Sequence, residues 1–482
     1  RIARGRERRP KAPAPSARRS AKRVAPACVA AGGEREQRYA RPDARSIALD
    51  VVCSVLEEGE PLDVALAQHP ELPLLKPQRR AFARRLATET FRSLRAVDRA
   101  VMRAGIKVPN GGRGRLANII RLAAVQLLVL NTPEYAAVNE TTELAKRSGF
   151  GDHKSLVFKA CKLLAERKAE LLLSLDDDEA TDDLPEWLAA MLVEAYGSDT
   201  ADALVESLKS RPCLDVTVRQ GEDAGAWAAQ LGGEVLSERT VRLPAGSGDV
   251  RKLPGFDDGA WWVQGAAAAS AAPLALCGGA IKRCVDLCAA PGGKTLQLAD
   301  AGVAVTAVDS SARRARMLRR NLERMRIADD LVDVSVGDVR QWRPEGGHEE
   351  AVLLDAPCTA TGTLRRHPNI AWQLQARDVK RLVALQREML VAASEMVTEG
   401  GVLVYSTCSL LPAECEEQVE WFLQEHPSWR RQPVSTADAQ QAGLVAADEA
   451  LTAAGDLRYL PHHMGGQGGL DGFFAARLTL TP

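Results

Sequence analysis

At 482 residues the chain exceeds what one hydrophobic core usually organises, and with 46% apolar and 26% charged residues it should be ordinary globular protein in two to four domains. Formal charge sums to zero, but residues 1–45 carry fourteen Arg and Lys against four acids, whereas Asp176 to Asp183 holds six acids in eight residues. Ten cysteines without a Cys-x-x-Cys pair argue against a zinc ribbon and for free thiols in a reducing compartment, and no run of about eighteen apolar residues offers a membrane span.

Residues 1–44 read as a disordered basic tail: up to Gly33 the segment is rich in Arg, Ala and Pro and has no hydrophobic period. Such a tail adds non-specific affinity for nucleic acid, and its Arg-rich, acid-poor composition also suits a transit peptide. The expected location is a bacterial-type cytoplasm, or the chloroplast stroma if residues 1–33 are such a peptide. Over 45–173 the apolar spacing is helical, with Leu116, Ile119, Ile120, Ala123, Leu127 and Leu130 on one face. Thr132 followed by Pro133 reads as an N-cap and first-turn proline. This all-α domain ends in the acidic linker that begins at Asp176.

Residues 184–260 read as a small α+β module, in which a helical stretch from Leu184 to Leu208 precedes strand-like runs at Leu214 to Arg219 and Glu234 to Leu236. Over 261–482 short apolar runs alternate with amphipathic helices. The runs at Arg283 to Leu287, Val303 to Val308, Val332 to Val336, Ala351 to Leu354 and Gly401 to Tyr405 predict a doubly wound parallel sheet. The fold class is therefore multidomain: an all-α N-terminal domain, a small α+β module and a C-terminal α/β Rossmann-like domain.

The first run of that sheet leads into Cys288, Ala289, Ala290, Pro291, Gly292, Gly293 and Lys294. A glycine pair at the carboxyl end of strand one lets the backbone turn tightly beside a helix N-terminus, but the Gly-x-Gly-x-x-Gly spacing of a pyrophosphate cradle is missing, which disfavours a nicotinamide oxidoreductase. Asp309 ends the second strand, where a carboxylate can accept from both ribose hydroxyls; Asp338 follows the third and can face an adenine amino group. Each acid alone is better read as a loop cap. In series they predict a nucleoside cofactor without pyrophosphate, S-adenosylmethionine.

Strand four supplies Asp355-Ala-Pro-Cys358 and strand five Ser406-Thr-Cys408-Ser409, so both thiols leave the sheet at its carboxyl edge. Cytosine carbon 5 is a poor nucleophile, and a thiolate adding to carbon 6 activates it by making a transient enamine. Cys408 is the expected nucleophile, Asp355 the group that bonds the cytosine edge near nitrogen 3, and Cys358 the thiol that aids elimination. Lys294 can depress a thiolate pKa or hold Asp355. Cys161, Cys277 and Cys284 are better explained as small core residues. An amino-group methyltransferase would carry an aromatic residue where Cys358 stands. A non-catalytic RNA-binding protein would not need Asp309, Asp355, Cys358 and Cys408 intact.

At Cys-Ala-Ala-Pro-Gly-Gly-Lys-Thr295, at the run from Asp355 to Pro368 and at Tyr405-Ser-Thr-Cys-Ser409 the chain resembles the RNA 5-methylcytosine methyltransferases, most closely the RsmB (Sun, Fmu) branch. Residues 45–173 are similar to the NusB-like RNA-binding domain of that branch, for example at Tyr135-Ala-Ala-Val-Asn-Glu140. The resemblance implies small-subunit ribosomal RNA as substrate, the Thr-Cys cysteine as nucleophile and the Pro-Cys cysteine as the group that assists release. DNA cytosine enzymes attack from the Pro-Cys position, so a swap of the two roles is the alternative. RNA affinity is expected from positive faces of the helical domain and from Arg365 and Arg366, which could instead form a solvated or carboxylate-paired loop. No metal is expected, and the protein is expected to be a monomer.

Overall fold

The computed structural model describes residues 42–277 and 281–481. The basic tail, and the transit-peptide reading with it, lies outside the described residues up to residue 41. Helices α1 (Ala44–Cys53), α2 (Leu62–Gln68), α3 (Pro77–Arg92), α4 (Leu94–Arg103), α5 (Arg115–Ala124), α6 (Glu134–Arg147), α7 (Lys154–Glu166) and α8 (Lys168–Asp176) enclose one apolar core. Ile119, Ile120, Ala123 and Leu127 are buried in it, as their spacing requires. Thr132 does not cap α6: Pro133 holds the N-cap position, and the Thr132 amide already donates to the Gln126 carbonyl at 2.8 Å.

The acidic segment is not a free linker. Arg99 donates to Asp178 at 2.9 Å and to Asp183 at 2.6 Å, and Arg103 donates to Asp178 at 2.6 Å, so two arginines of α4 gather its charge. The helical stretch that follows is broken in two, α9 (Glu186–Tyr196) and α10 (Ser198–Lys209), by Gly197 at φ 76°. A side chain there would be strained, and glycine lets the chain reverse. The apolar faces of these helices, including Leu188, Leu192, Leu204 and Leu208, pack on Leu364, Leu410 and Leu411 of the C-terminal domain.

The small module is a four-stranded antiparallel sheet of β1 (Leu214–Val218), β2 (Glu234–Ser237), β3 (Thr240–Leu243) and β4 (Trp261–Val263) in the order β2-β3-β1-β4, with α11 (Ala224–Leu231) between β1 and β2. The expected boundary at residue 260 is therefore corrected: Trp261 to Val263 pair with β1 and complete this sheet.

The C-terminal domain contains α12 (Ala271–Leu276), β5 (Arg283–Leu287), α13 (Gly293–Asp300), β6 (Ala304–Asp309), α14 (Ala312–Arg324), β7 (Val332–Val336), β8 (Glu349–Asp355), α15 (Ile370–Gln373), α16 (Ala376–Ser394), β9 (Val397–Thr407), α17 (Glu416–Glu425), β10 (Trp429–Arg431), β11 (Leu457–Tyr459) and β12 (Phe473–Leu480). Strands β9-β8-β5-β6-β7 lie side by side and parallel. The sheet is not parallel throughout, because β12 runs antiparallel beside β9 and carries β10 and β11 on its other side. Side chains alternate between its faces: Val305, Ala307, Leu353 and Val404 enter one core, Val285, Val308, Leu354 and Tyr405 the other. From β5 the chain steps outward to β6 and β7, then returns to β8 on the opposite side of β5. The cleft at this switch point, between the carboxyl ends of β5 and β8, is where open α/β sheets bind ligands.

Candidate active site

The loop after β5 enters that cleft with Cys288 at φ 62° and Gly292 at φ 108°. A Cβ on Gly292 would overlap the Leu318 side chain of α14, so the loop can lie this close to α14 only as glycine. The Asn321 amide donates to the Pro291 carbonyl at 2.8 Å and holds the same turn from the side. Ala289 is tied across the sheet by donation to the Val308 carbonyl at 3.0 Å.

Asp309, at the end of β6, is 1% exposed. Its carboxylate accepts from the amides of Ser311 at 2.9 Å and Ala290 at 3.3 Å, and Arg314 lies 3.3 Å from it. Asp338 follows β7 and accepts from the amide and guanidinium of Arg340, whose hydrogen bonds hold its carboxyl below the usual range. Beside it the apolar Val336 is left 49% exposed at the strand end.

On the other side of the cleft, Lys294 at the head of α13 pairs with Asp355 at 2.8 Å, and the Ser406 hydroxyl donates to the second Asp355 oxygen at 3.1 Å. Burial alone would lower the Lys294 pKa, but Asp355 and the neighbouring Asp286 outweigh it and the net direction is up. Lys294 also lies 5.3 Å from the centre of the Phe473 ring. The Cys358 and Cys408 sulfurs stand 3.5 Å apart. Hydrogen bonding with Cys408, together with burial, pushes the Cys358 thiol well up, so Cys358 is a poor thiolate. Cys288 is pushed up chiefly by burial, then by Asp355 and Asp309, and is a poor thiolate.

A buried carboxylate that sequence reasoning missed joins the two thiol loops. Glu414 accepts from the Thr359 amide at 2.9 Å, the Thr359 hydroxyl at 2.5 Å, the Ser409 hydroxyl at 2.6 Å and the Gln386 amide at 3.0 Å. Thr359 follows Cys358 and Ser409 follows Cys408, so one side chain fixes both residues next to the sulfurs. Nothing in the run Glu414, Glu416, Glu417 distinguishes the first acid; its only local signal is the turn set by Pro412.

The two arginines expected at the RNA are placed otherwise. Arg365 is 3% exposed: its guanidinium bonds the Gly468 carbonyl, and its own carbonyl accepts from Arg92 at 2.6 Å. It is corrected to a residue that closes the seam between domains, since a buried guanidinium held by a backbone carbonyl does not reach a phosphate. Arg366 is partly exposed but ion-paired with Asp471. Among the described residues no group of three or more His, Cys, Asp or Glu side chains stands together as a metal site.

The donor set suits one nucleoside cofactor: acceptor-only carboxylates at the ends of β6 and β7, an apolar strand end between them and a glycine turn facing the thiols. Fold and site together define an S-adenosylmethionine-dependent methyltransferase. Residues 276–479 match the model described as 16S rRNA methyltransferase RsmB/F, and residues 42–157 match the NusB family. The ribosomal RNA small subunit methyltransferase B of Serratia proteamaculans (strain 568) is 32% identical over 451 residues, 90% of this chain and 98% of the relative. That of Yersinia pestis bv. Antiqua (strain Angola) is 32% identical over 447 residues, again 90% and 98%. The crystal structure of PH0851 superposes with a TM-score of 0.68 at 22% identity, covering 91% of this chain and 99% of that one, and shares the fold. The chain belongs to the RsmB/F methyltransferase family.

Proposed function

We propose that the protein methylates carbon 5 of a cytosine in small-subunit ribosomal RNA through a covalent bond from Cys408 to carbon 6. The observation that carries this reading is the pair of sulfurs 3.5 Å apart at the carboxyl edge, beside the Lys294–Asp355 pair and the glycine turn. An amino-group or oxygen methyltransferase has no use for two thiols there. The substrate follows from the relatives, which are named for the small-subunit ribosomal RNA. Exposed basic residues at and after the start of α3, Lys76, Arg79, Arg84 and Arg85, none ion-paired to a described residue, offer such a substrate positive charge to approach.

In this reading the Cys408 thiolate forms a bond to carbon 6, and the ring's 5,6 electron pair moves to carbon 5. Asp355, held by Lys294 and Ser406, accepts from the amino edge of the base and orients it. When bound, S-adenosylmethionine supplies the electrophilic methyl group that carbon 5 attacks. The Cys358 side then assists loss of the carbon-5 hydrogen as a proton, the double bond re-forms and the bond from carbon 6 to Cys408 breaks.

Mapping the base modified in a small-subunit ribosomal RNA transcript, with labelled cofactor, tests the product: a label anywhere but cytosine carbon 5 overturns it. The thiol roles are separated by two variants. Cys408→Ala should neither methylate nor attach to RNA, whereas Cys358→Ala should accumulate a protein–RNA adduct stable to denaturing electrophoresis. An adduct in Cys408→Ala, with none in Cys358→Ala, would exchange the roles.

A further inference from the structure

α14 carries six arginines and a single acid, Glu323. Three of the six are engaged: Arg314 with Asp309, Arg319 with the Val334 carbonyl, and Arg324 with the Phe256 and Trp261 carbonyls at 2.7 and 3.1 Å. The other three, Arg313, Arg316 and Arg320, are exposed and make no hydrogen bond or ion pair with any described residue, and the same holds for Arg326 just past the helix. At about 100° per residue these three fall within an arc of roughly 60°, opposite the buried Ala315, Leu318 and Leu322. They form one solvent-facing stripe. From Arg313 to Arg320 it is about 10 Å long, room for about two to three successive phosphates.

The stripe works against its own helix. Arg313 with Arg316 and Arg316 with Arg320 are like charges at three- and four-residue spacing, which repel. The first turn holds no acid, and its arginines oppose the helix dipole. A polyanion lying along this face would reverse both effects.

Position argues for which polyanion. The N-terminal end of α14 follows β6 and so lies at the carboxyl edge of the sheet, the edge that holds the thiols. Its C-terminal end is fixed to the small module, where Arg219 donates to the Met325 carbonyl at 3.1 Å and Arg324 reaches Phe256. A strand with its target base in the cleft can therefore continue along α14 toward that module.

We infer that Arg313, Arg316 and Arg320 form a phosphate-binding track for the RNA backbone flanking the target nucleotide, an inference that rests on the RNA substrate proposed above. Guanidinium forks match phosphate oxygens in a way that suits this task.

The test compares wild type with the triple variant Arg313→Gln/Arg316→Gln/Arg320→Gln, using a small-subunit ribosomal RNA transcript over a series of salt concentrations. Each phosphate contact on a single strand contributes roughly 0.7 to the slope of log affinity against log salt, so the variant should lose about two units of slope and bind about tenfold more weakly near 0.15 M salt. The triple Lys variant should recover most of the slope, and unchanged cofactor affinity in both shows that the fold is intact. An unaltered salt slope in the Gln variant overturns the track while leaving the RNA reading standing. A wild-type protein without salt-dependent affinity for the transcript overturns both. If RNA binding is unchanged and only binding to acidic phospholipid vesicles falls, the stripe faces a membrane and the inference fails.

Discussion

The Glu414 carboxylate shows how a single side chain can govern a site without facing the substrate. Its four donors come from both thiol loops and from α16, and removing it strands the Thr359 and Gln386 N–H groups in a buried place. At about 1 to 3 kcal/mol for each buried group left unpaired, Glu414→Ala should destabilise the fold by roughly 2 to 6 kcal/mol in urea denaturation. Glu414→Gln should cost less than half of that, because the Thr359 and Ser409 hydroxyls can turn and accept from the new amide. Equal losses in the two variants would mean that the charge itself is required. Asp286 behaves differently. Burial lifts its carboxyl to about 7, with only Thr295 donating to one oxygen and the other unpartnered. The folded chain thus keeps this proton between about pH 4 and about pH 7, where an unfolded chain has lost it, so stability falls as pH rises through that window and this group adds no further change above it. Asp286→Asn should remove that fall, gaining on the order of 1 to 4 kcal/mol at pH 8 relative to its change at pH 5. Denaturation curves at the two pH values decide it.

Among the elements, the glycine turn after β5 is the part of the site most exposed to a one-atom change. Gly292→Ala would place a methyl group against the end of the buried Leu318 side chain at a positive φ, and either that side chain or the loop must move. Strain of this kind costs about 1 to 3 kcal/mol. The expected result is at least about tenfold weaker cofactor binding by calorimetry, against a smaller effect for Gly302→Ala, whose Cβ would meet nothing within 4 Å. This loop was legible because its function is written in backbone requirements; β5 was legible to the residue because a buried parallel strand is a bounded apolar run, and β7, a half-buried edge strand, because its valines alternate with Asp333 and Ser335. Other elements gave no such signal. β4 is three residues long and begins with two tryptophans that suit either flank, β3 follows a turn without Asn-Gly, and β12 contains Arg477 within its apolar run. The identity of the thiols and acids could be read because their chemistry is local, whereas the burial of Arg365 could not: nothing in Leu-Arg-Arg-His-Pro says which arginine turns inward, since the partners that decide it, Gly468 and Arg92, are distant in sequence.

At the scale of the molecule, the chain that leaves Cys358 is also the seam between domains. Trp372 donates to the Phe91 carbonyl at 2.8 Å, Gln373 to the Glu60 carbonyl at 2.8 Å, and Arg92 to the Arg365 carbonyl at 2.6 Å. The helical domain therefore grips the segment that presents the second thiol. Trp372→Phe combined with Gln373→Ala removes two of these bonds, which at about 0.5 to 1.5 kcal/mol each weakens the seam by roughly 1 to 3 kcal/mol. Calorimetry should show one unfolding transition in wild type and a broadened or split one in the double variant, with the helical domain melting apart from the sheet; a single sharp transition at unchanged temperature would assign the coupling elsewhere. The seam has a further consequence for how the chain is made. Phe91 and Trp372 are 281 residues apart, so at roughly 5 to 20 residues per second the helical domain leaves the ribosome some 15 to 55 seconds before its partner surface exists. Leu208 and Leu410 are 202 residues apart, so for roughly 10 to 40 seconds the Leu188, Leu192, Leu204 and Leu208 faces of α9 and α10 have no Leu410 or Leu411 to cover them, and the nascent protein carries an open apolar surface that slower translation would prolong.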